Sequence, residues 1–288
     1  MTLTFTLLGL AILAVWLPAL PLARGLTLPP WAVLFAFAVA SGIAADLIDA
    51  PAWIALIALA AAGWGSQRGH RRRLRTLMLL FAALLALALA LHAVPGFRNP
   101  LVASQIRLGA DSPPISLYAN FDKGAAGLLL LACHARRIRD RLELRRCMRA
   151  AWPVVAATVL VVLGTGVLLG YVRLEPKWPP IAPAFLANNL LFTCVAEEAF
   201  FRGLLQERLA QATGQRRLGR WLPVAVSTGL FGLAHAAGGP YAMAFATLAG
   251  LGYALAYART RRIEAAILTH FAVNAVHFLG FSYPYLAR

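Results

Sequence analysis

The stretch VAEEAFFRG, Val195 to Gly203, places two glutamates and an arginine inside an otherwise apolar run. The whole chain is of similar character, because 60% of its 288 residues are hydrophobic and only 13% are charged. In soluble domains roughly one quarter of the residues are charged, so this composition is typical of a membrane protein. An ionisable side chain within a membrane helix costs at least about 2.5 kcal/mol. Three in one run therefore indicate either pairing or function.

Apolar windows long enough to cross about 30 Å of hydrocarbon recur along the whole chain. We predict about ten of them, near residues 3–22, 31–47, 51–66, 75–95, 120–134, 151–170, 184–205, 221–237, 241–258 and 263–281. The third and fifth are short enough to be re-entrant or tilted, so about eight to ten spans are expected. The prediction is an all-α fold, a polytopic transmembrane helical bundle.

The net charge of +16 lies in short arginine clusters between the apolar windows. A nucleic-acid-binding protein would instead gather its charge on one solvated face, so nucleic acid is not a predicted partner. The clusters occupy alternate connections, which the positive-inside rule assigns to the cytoplasm. They lie at residues 68–75, 136–149, 208–220 and 259–262. We predict a multi-pass integral protein of a bacterial cytoplasmic (inner) membrane, in contact with the lipid bilayer.

One long connection, from Pro95 to Asp122, is rich in proline, serine and aspartate and has no apolar run of spanning length. It is the natural boundary between two parts of the chain. Residues 1–113 form an N-terminal transmembrane part of unknown role. Residues 114–288 form the transmembrane part in which all the motifs discussed below occur.

The charged run in the seventh window separates into two parts if the helix is regular. Glu198 and Arg202 stand at i and i+4 with the acid N-terminal, the favourable order for an ion pair. Glu197 is turned about 100° away and has no cation at i+3 or i+4. We therefore expect Glu197 to be unpaired in a low-dielectric setting that suits a general base. Asn189 and Thr193 continue its face, and the alternative is a purely structural cluster with a snorkelling arginine.

Two further motifs fall in later windows. FGLAH, Phe231 to His235, places a histidine inside the eighth window, and HFAVN, His270 to Asn274, stacks an imidazole and a carboxamide on one helix face. The latter pair could donate hydrogen bonds to a developing negative charge, as an oxyanion hole does. The alternatives are a histidine bonded to a backbone carbonyl and ordinary interhelical hydrogen bonds. Together with Glu197, the residues His235, His270 and Asn274 indicate hydrolytic chemistry.

In order, the three motifs match EExxxR, FxxxH and HxxxN, and over residues 184–281 the chain resembles the CPBP family of intramembrane proteases. That family includes the CAAX prenyl endopeptidases and the bacteriocin-processing and immunity relatives, also called the abortive-infection family. The resemblance implies that Glu197 and His235 activate the attacking water and that His270 and Asn274 form the oxyanion hole. It gives Glu198 and Arg202 a supporting role. The expected substrate is a membrane-anchored or amphipathic peptide or protein, cut by a glutamate-type endopeptidase.

A metal and two other functions stay open at this point. Members of the family are often labelled metalloproteases, and Glu197, His235 and His270 could bind zinc with an open fourth position. No HExxH motif occurs, and we favour no metal. The same three residues could form the proton relay of a proton-coupled transporter. A non-catalytic scaffold or immunity protein is the remaining alternative, and the sequence does not indicate an oligomeric state.

Overall fold

The computed structural model describes residues 2–22, 27–69, 71–214 and 217–287. Ten helices account for most of this part of the chain. In order they are α1 (Thr2–Leu13), α2 (Pro30–Ala44), α3 (Ala50–Arg68), α4 (Arg72–Ala90), α5 (Phe121–His134), α6 (Arg141–Leu168), α7 (Ala182–Thr213), α8 (Arg217–Leu233), α9 (Gly239–Thr260) and α10 (Ile263–Gly280).

The prediction of a helical membrane bundle is confirmed, since each predicted window corresponds to one helix. Five helical segments are long and apolar enough to cross a membrane: Arg72–Ala90, Arg141–Leu168, Ala182–Thr213, Ala236–Thr260 and Ile263–Gly280. Three shorter segments are also apolar, namely Thr2–Trp16, Pro30–Ala44 and Trp221–Leu233. Length and composition thus support about half of the predicted windows as complete spans.

Two small two-stranded sheets accompany the helices, although no strands were predicted. Strands β1 (Leu20–Pro21) and β2 (Thr27–Leu28) pair between α1 and α2. Strands β3 (Leu101–Ile106) and β4 (Ile115–Tyr118) pair within the long connection. Both β3 and β4 are short runs that mix apolar and polar residues, and the pair of prolines Pro113–Pro114 precedes β4, as is usual at a turn.

The chain forms two compact units. The first unit contains Met1–Val102, Tyr118–Ala135 and Leu191–Phe200, and the second contains Ala103–Leu117, Arg136–Leu190 and Phe201–Arg288. Each unit therefore includes residues from both sides of the predicted boundary after residue 113. A separate role for residues 1–113 stays a prediction.

Glycines bring two helical segments of the first unit unusually close together. A Cβ atom on Gly127 of α5 would lie 2.5 Å from the Cα of Ala196, and one on Gly124 would lie 2.8 Å from the ring of Phe192. Small residues permit such backbone approach between membrane helices. Phe5 of α1 contacts the edge of the Phe192 ring, with 5.8 Å between the ring centroids. The segment Leu191–Phe200 is therefore packed firmly against α5.

The second unit also packs its helices through small residues. Ala151 of α6, Ala256 of α9 and Ala265 of α10 share one buried cluster. After α10, the chain pairs with the segment before α7, where Leu174 and Phe281 form an antiparallel bridge. The N–H of Glu175 donates to the Gly280 carbonyl at 2.8 Å. The end of α10 is thereby attached to the rest of its unit.

Helix α7 is not a regular α-helix. Asn189–Cys194 and Ala199–Gln206 are π-helical, and only Val195–Glu198 between them is α-helical. In a π-helix the backbone hydrogen bonds join residues i and i+5 rather than i and i+4. Such segments are rare in proteins, and those that occur are often found at functional sites. The face assignments predicted for Glu197, Glu198 and Arg202 assumed a regular α-helix, so that assumption was wrong for this helix.

Candidate active site

Glu197 has a cation beside it in the first unit. The ammonium of Lys123 lies 2.7 Å from Oε1 of Glu197, and both side chains are largely buried, at 18% and 15% exposure. The prediction that Glu197 is unpaired was therefore wrong. The prediction failed because the cation comes from another helix, 74 positions earlier in the chain. The i+3 and i+4 spacing rules apply only to residues of the same helix.

The start of α5, which carries Lys123, is held by a buried polar cluster. Asp122 is almost fully buried and accepts hydrogen bonds from Nδ1 of His92 at 2.7 Å and from Nδ2 of Asn99 at 3.0 Å. The Asn99 side chain in turn accepts from the backbone N–H of Phe121 at 2.9 Å. These bonds fix the first turn of α5 and with it the position of Lys123. Sequence reasoning missed this cluster, because none of the three polar residues lies within a motif.

Glu198 and Arg202 are both fully buried. In the second unit, Arg202 donates to the Gly250 carbonyl at 2.8 Å. Its guanidinium carbon lies 4.6 Å from the ring centroid of Phe231 and 5.4 Å from that of Tyr253, within the range of cation–π attraction. The ion pair predicted between Glu198 and Arg202 stays a prediction.

His235 lies beyond the end of α8 rather than inside a helix. Helix α8 ends at Leu233, and a short 3-10 helix follows from Ala236, so His235 occupies the turn between them. The prediction of an intrahelical position was wrong because the apolar sequence continues past the point where the helical hydrogen bonding stops. The Nδ1 atom of His235 lies 2.8 Å from the Phe231 carbonyl. A carbonyl can only accept, so Nδ1 carries a proton, and in the neutral imidazole the lone pair is on Nε2.

His270 is buried among aromatic rings of the second unit. Its imidazole stacks on Tyr253 with a centroid separation of 4.4 Å and an interplanar angle of 15°. The Phe231 ring meets it edge-on at 5.7 Å and also lies 4.8 Å from the ring of His235. The structure thus brings both predicted histidines against one phenylalanine.

Asn274 follows His270 by one turn of α10 and is bonded to α7. Its Nδ2 donates to Oδ1 of Asn189 at 3.2 Å within the second unit. Asn189 was noticed in the sequence only as a polar residue on the presumed face of Glu197. The observed bond orients the Asn274 carboxamide. The same bond is an ordinary interhelical hydrogen bond, which was the alternative to an oxyanion hole considered for HFAVN.

The described residues contain no group of three or more histidine, cysteine, aspartate or glutamate side chains arranged to hold a metal ion. The zinc ligands considered from the sequence, Glu197, His235 and His270, do not form such a group there.

The described part of the chain is thus a helical membrane protein whose second unit packs His235 and His270 against Phe231. Residues 179–276 match the Rce1-like family, described as type II CAAX prenyl endopeptidase Rce1-like. The chain therefore carries an Rce1-like domain, and the predicted resemblance to the CAAX prenyl endopeptidases is confirmed. No curated protein and no solved structure matches the chain. A domain of this family implies an intramembrane peptidase that acts on a protein substrate.

Proposed function

We propose that the chain is a glutamate-type intramembrane endopeptidase that hydrolyses a peptide bond in a membrane-anchored or amphipathic peptide or protein. The observation that carries this proposal is the family match over residues 179–276, which contains every residue of the three motifs. The packing of His235 and His270 against Phe231 supports it, because two motifs distant in sequence meet there.

In the proposed mechanism, Glu197 and His235 activate the attacking water. A general base must be ionised or carry a lone pair to accept a proton. The ammonium of Lys123 stabilises the ionised form of Glu197. The Phe231 carbonyl fixes the tautomer of His235 that presents a lone pair at Nε2. These two contacts support the proposal, because they favour the forms of Glu197 and His235 that can remove a proton from water.

The tetrahedral intermediate carries a negative charge on the former carbonyl oxygen, and His270 and Asn274 are proposed to donate hydrogen bonds to it. Such donors act best when they are already oriented before the reaction. Stacking on Tyr253 orients His270, and the bond to Asn189 orients Asn274. Glu198 and Arg202 support the site as buried charges on the same helix. The proposal assigns no step to a metal, and the assay with a chelator tests this choice.

The proposal is tested by a cleavage assay in proteoliposomes on a library of membrane-anchored peptides. Glu197→Gln should reduce cleavage by about 10²-fold or more, since a positioned general base contributes that much. Asp46→Asn removes a carboxylate that is 93% exposed and far from the motifs in sequence, and should leave the rate unchanged.

Each assay is run with and without a chelator. Cleavage that the chelator abolishes and zinc restores would contradict the metal-free mechanism. The absence of cleavage of any peptide by folded, monodisperse protein would contradict the endopeptidase proposal. It would favour the transporter or the scaffold.

A further inference from the structure

A large basic cavity lies in the second unit, apart from the residues assigned to catalysis. Its volume is about 1250 Å³, and it is partly open. Arg136, Arg259 and Arg261 line it together with Gln206 and Trp221, and apolar side chains of α6, α8 and α9 complete the wall. This is larger than a small anion such as phosphate requires.

Two of the three arginines are partly neutralised by one buried carboxylate. Glu207, whose side chain is 3% exposed, accepts from Nε of Arg136 at 2.9 Å and from an Nη2 of Arg261 at 2.7 Å. The hydroxyl of Tyr257 also donates to it, at 2.8 Å. Arg259 forms no ion pair within the described part of the chain. Three positive charges against one negative charge leave the cavity with an excess of positive charge.

The backbone at Arg261 is held in an unusual conformation. Arg261 directly follows α9 with a φ of 54°, in the left-handed region that normally favours glycine or asparagine. Strained residues of this kind cluster at ligand clamps and functional sites. From this conformation the Arg261 side chain reaches Glu207.

Gln206 of the cavity wall is held in place, because it is 2% exposed and its Nε2 donates to the Ala254 carbonyl at 2.9 Å. The excess of positive charge in the cavity therefore suits an anionic ligand.

The position of the cavity in the chain relates it to the membrane surface. Trp221, which is 60% exposed, lies at the start of the apolar segment Trp221–Leu233, and tryptophan is enriched at membrane interfaces. The three arginines belong to the clusters predicted to be cytoplasmic. The cytoplasmic leaflet carries anionic lipids, and basic pockets between membrane helices on that side bind their headgroups.

We infer that this cavity binds the headgroup of an anionic phospholipid, with the phosphate at Arg259 and Arg261. Phosphatidylglycerol is such a lipid. The apolar wall formed with Val224 and Leu255 accommodates the first part of the acyl chains. This site is independent of the proposed proteolysis, because none of its residues belongs to the three motifs.

The test uses native mass spectrometry and thermal unfolding of the full chain in detergent with phosphatidylglycerol, phosphatidylcholine of the same acyl chains, or inorganic phosphate. Phosphatidylglycerol should remain bound and raise Tm, and this effect should weaken as the salt concentration rises. Arg259→Gln should lower the affinity about fivefold, as expected for one basic residue near a lipid surface. Arg259→Lys should retain most of it.

Arg149→Gln is the matched control, because Arg149 is an exposed arginine of the same unit that does not line the cavity. Equal binding of the two phospholipids by the natural chain would overturn the inference, and so would equal effects of Arg259→Gln and Arg149→Gln. A Tm increase with inorganic phosphate alone that matches the lipid would assign the cavity to a free anion instead. The experiment works equally well in the Glu197→Gln variant, so its result does not depend on cleavage.

Discussion

At the scale of single residues, the contact between Lys123 and Glu197 changes the expected chemistry. A carboxylate in a low-dielectric setting is costly to ionise, and an ammonium group at 2.7 Å offsets much of that cost. In the proposed mechanism a base has to be ionised before it can take a proton. Lys123 therefore acts as a positioning residue that keeps Glu197 in its active form.

We predict that Lys123→Met lowers kcat by about tenfold or more, which corresponds to about 1.4 kcal/mol, with a much smaller change in KM. Lys123→Arg should restore part of kcat, because it returns a cation to the same helix face. The readout is steady-state cleavage of a peptide that the natural chain cuts.

Lys177→Met is the control, since Lys177 is the other lysine of the chain and lies in a connection of the second unit. Burial lowers the pKa of Lys177, with Glu175 acting in the opposite direction. If Lys123→Met and Lys177→Met reduced kcat equally, or if Lys123→Met raised KM alone, the positioning role of Lys123 would be refuted.

At the scale of secondary-structure elements, the contact between α5 and the segment Leu191–Phe200 determines where Lys123 lies. Gly127 leaves no space for a side chain, because its Cβ would meet the backbone of Ala196. Backbone atoms cannot rotate away as a flexible side chain can. An added methyl group must therefore separate the two helices.

Gly127→Ala should lower the free energy of unfolding by about 1–3 kcal/mol, the usual range for overpacking. It should also reduce kcat, since it moves Lys123 away from Glu197. Thermal unfolding in detergent measures the first effect and peptide cleavage the second. Gly164→Ala in α6 is the control, because its Cβ would have no atom within 4 Å, and Ala is favoured over Gly in a helix by about 0.5–1 kcal/mol. A Gly127→Ala variant as stable as Gly164→Ala would contradict this view of the contact.

The element scale also shows which features sequence patterns can predict. Long apolar windows indicated the ten helices, because hydrocarbon thickness constrains length and composition directly. The end of α8 before His235 and the π-helical parts of α7 were missed, since they depend on which carbonyl each N–H reaches. Hydrophobicity carries no information on that choice. The partner of Glu197 was missed for another reason: it depends on tertiary packing between α5 and α7.

At the scale of the whole molecule, the family domain does not coincide with one compact unit. The match covers residues 179–276, and its segment Leu191–Phe200 belongs to the first unit, together with α1 to α5. Glu197 lies in that segment. Phe5 of the N-terminal part packs against Phe192 of the same segment, so the N-terminal part contributes contacts to the segment that carries Glu197.

We predict that residues 114–288 expressed alone do not give monodisperse protein. Removing residues 1–113 takes Phe5 away from the ring of Phe192, and it takes His92 and Asn99 away from Asp122. Asp122 would then be a buried carboxylate without these two partners, which is strongly destabilising. Size-exclusion chromatography in detergent is the measurement.

Co-expression of residues 1–113 as a separate chain should restore a monodisperse complex, because the missing contacts are non-covalent. A fragment 114–288 that is monodisperse and cleaves peptides without its N-terminal half would contradict this prediction.

The interleaved first unit also has a consequence for biosynthesis. A ribosome delivers α1 to α5 first, and Leu191–Phe200 follows only after α6 has been made. Until then, the ammonium group of Lys123 on α5 has no Glu197 beside it. The first unit is therefore complete only after α7 has been made, so the order in which this protein is translated differs from the order in which it is assembled.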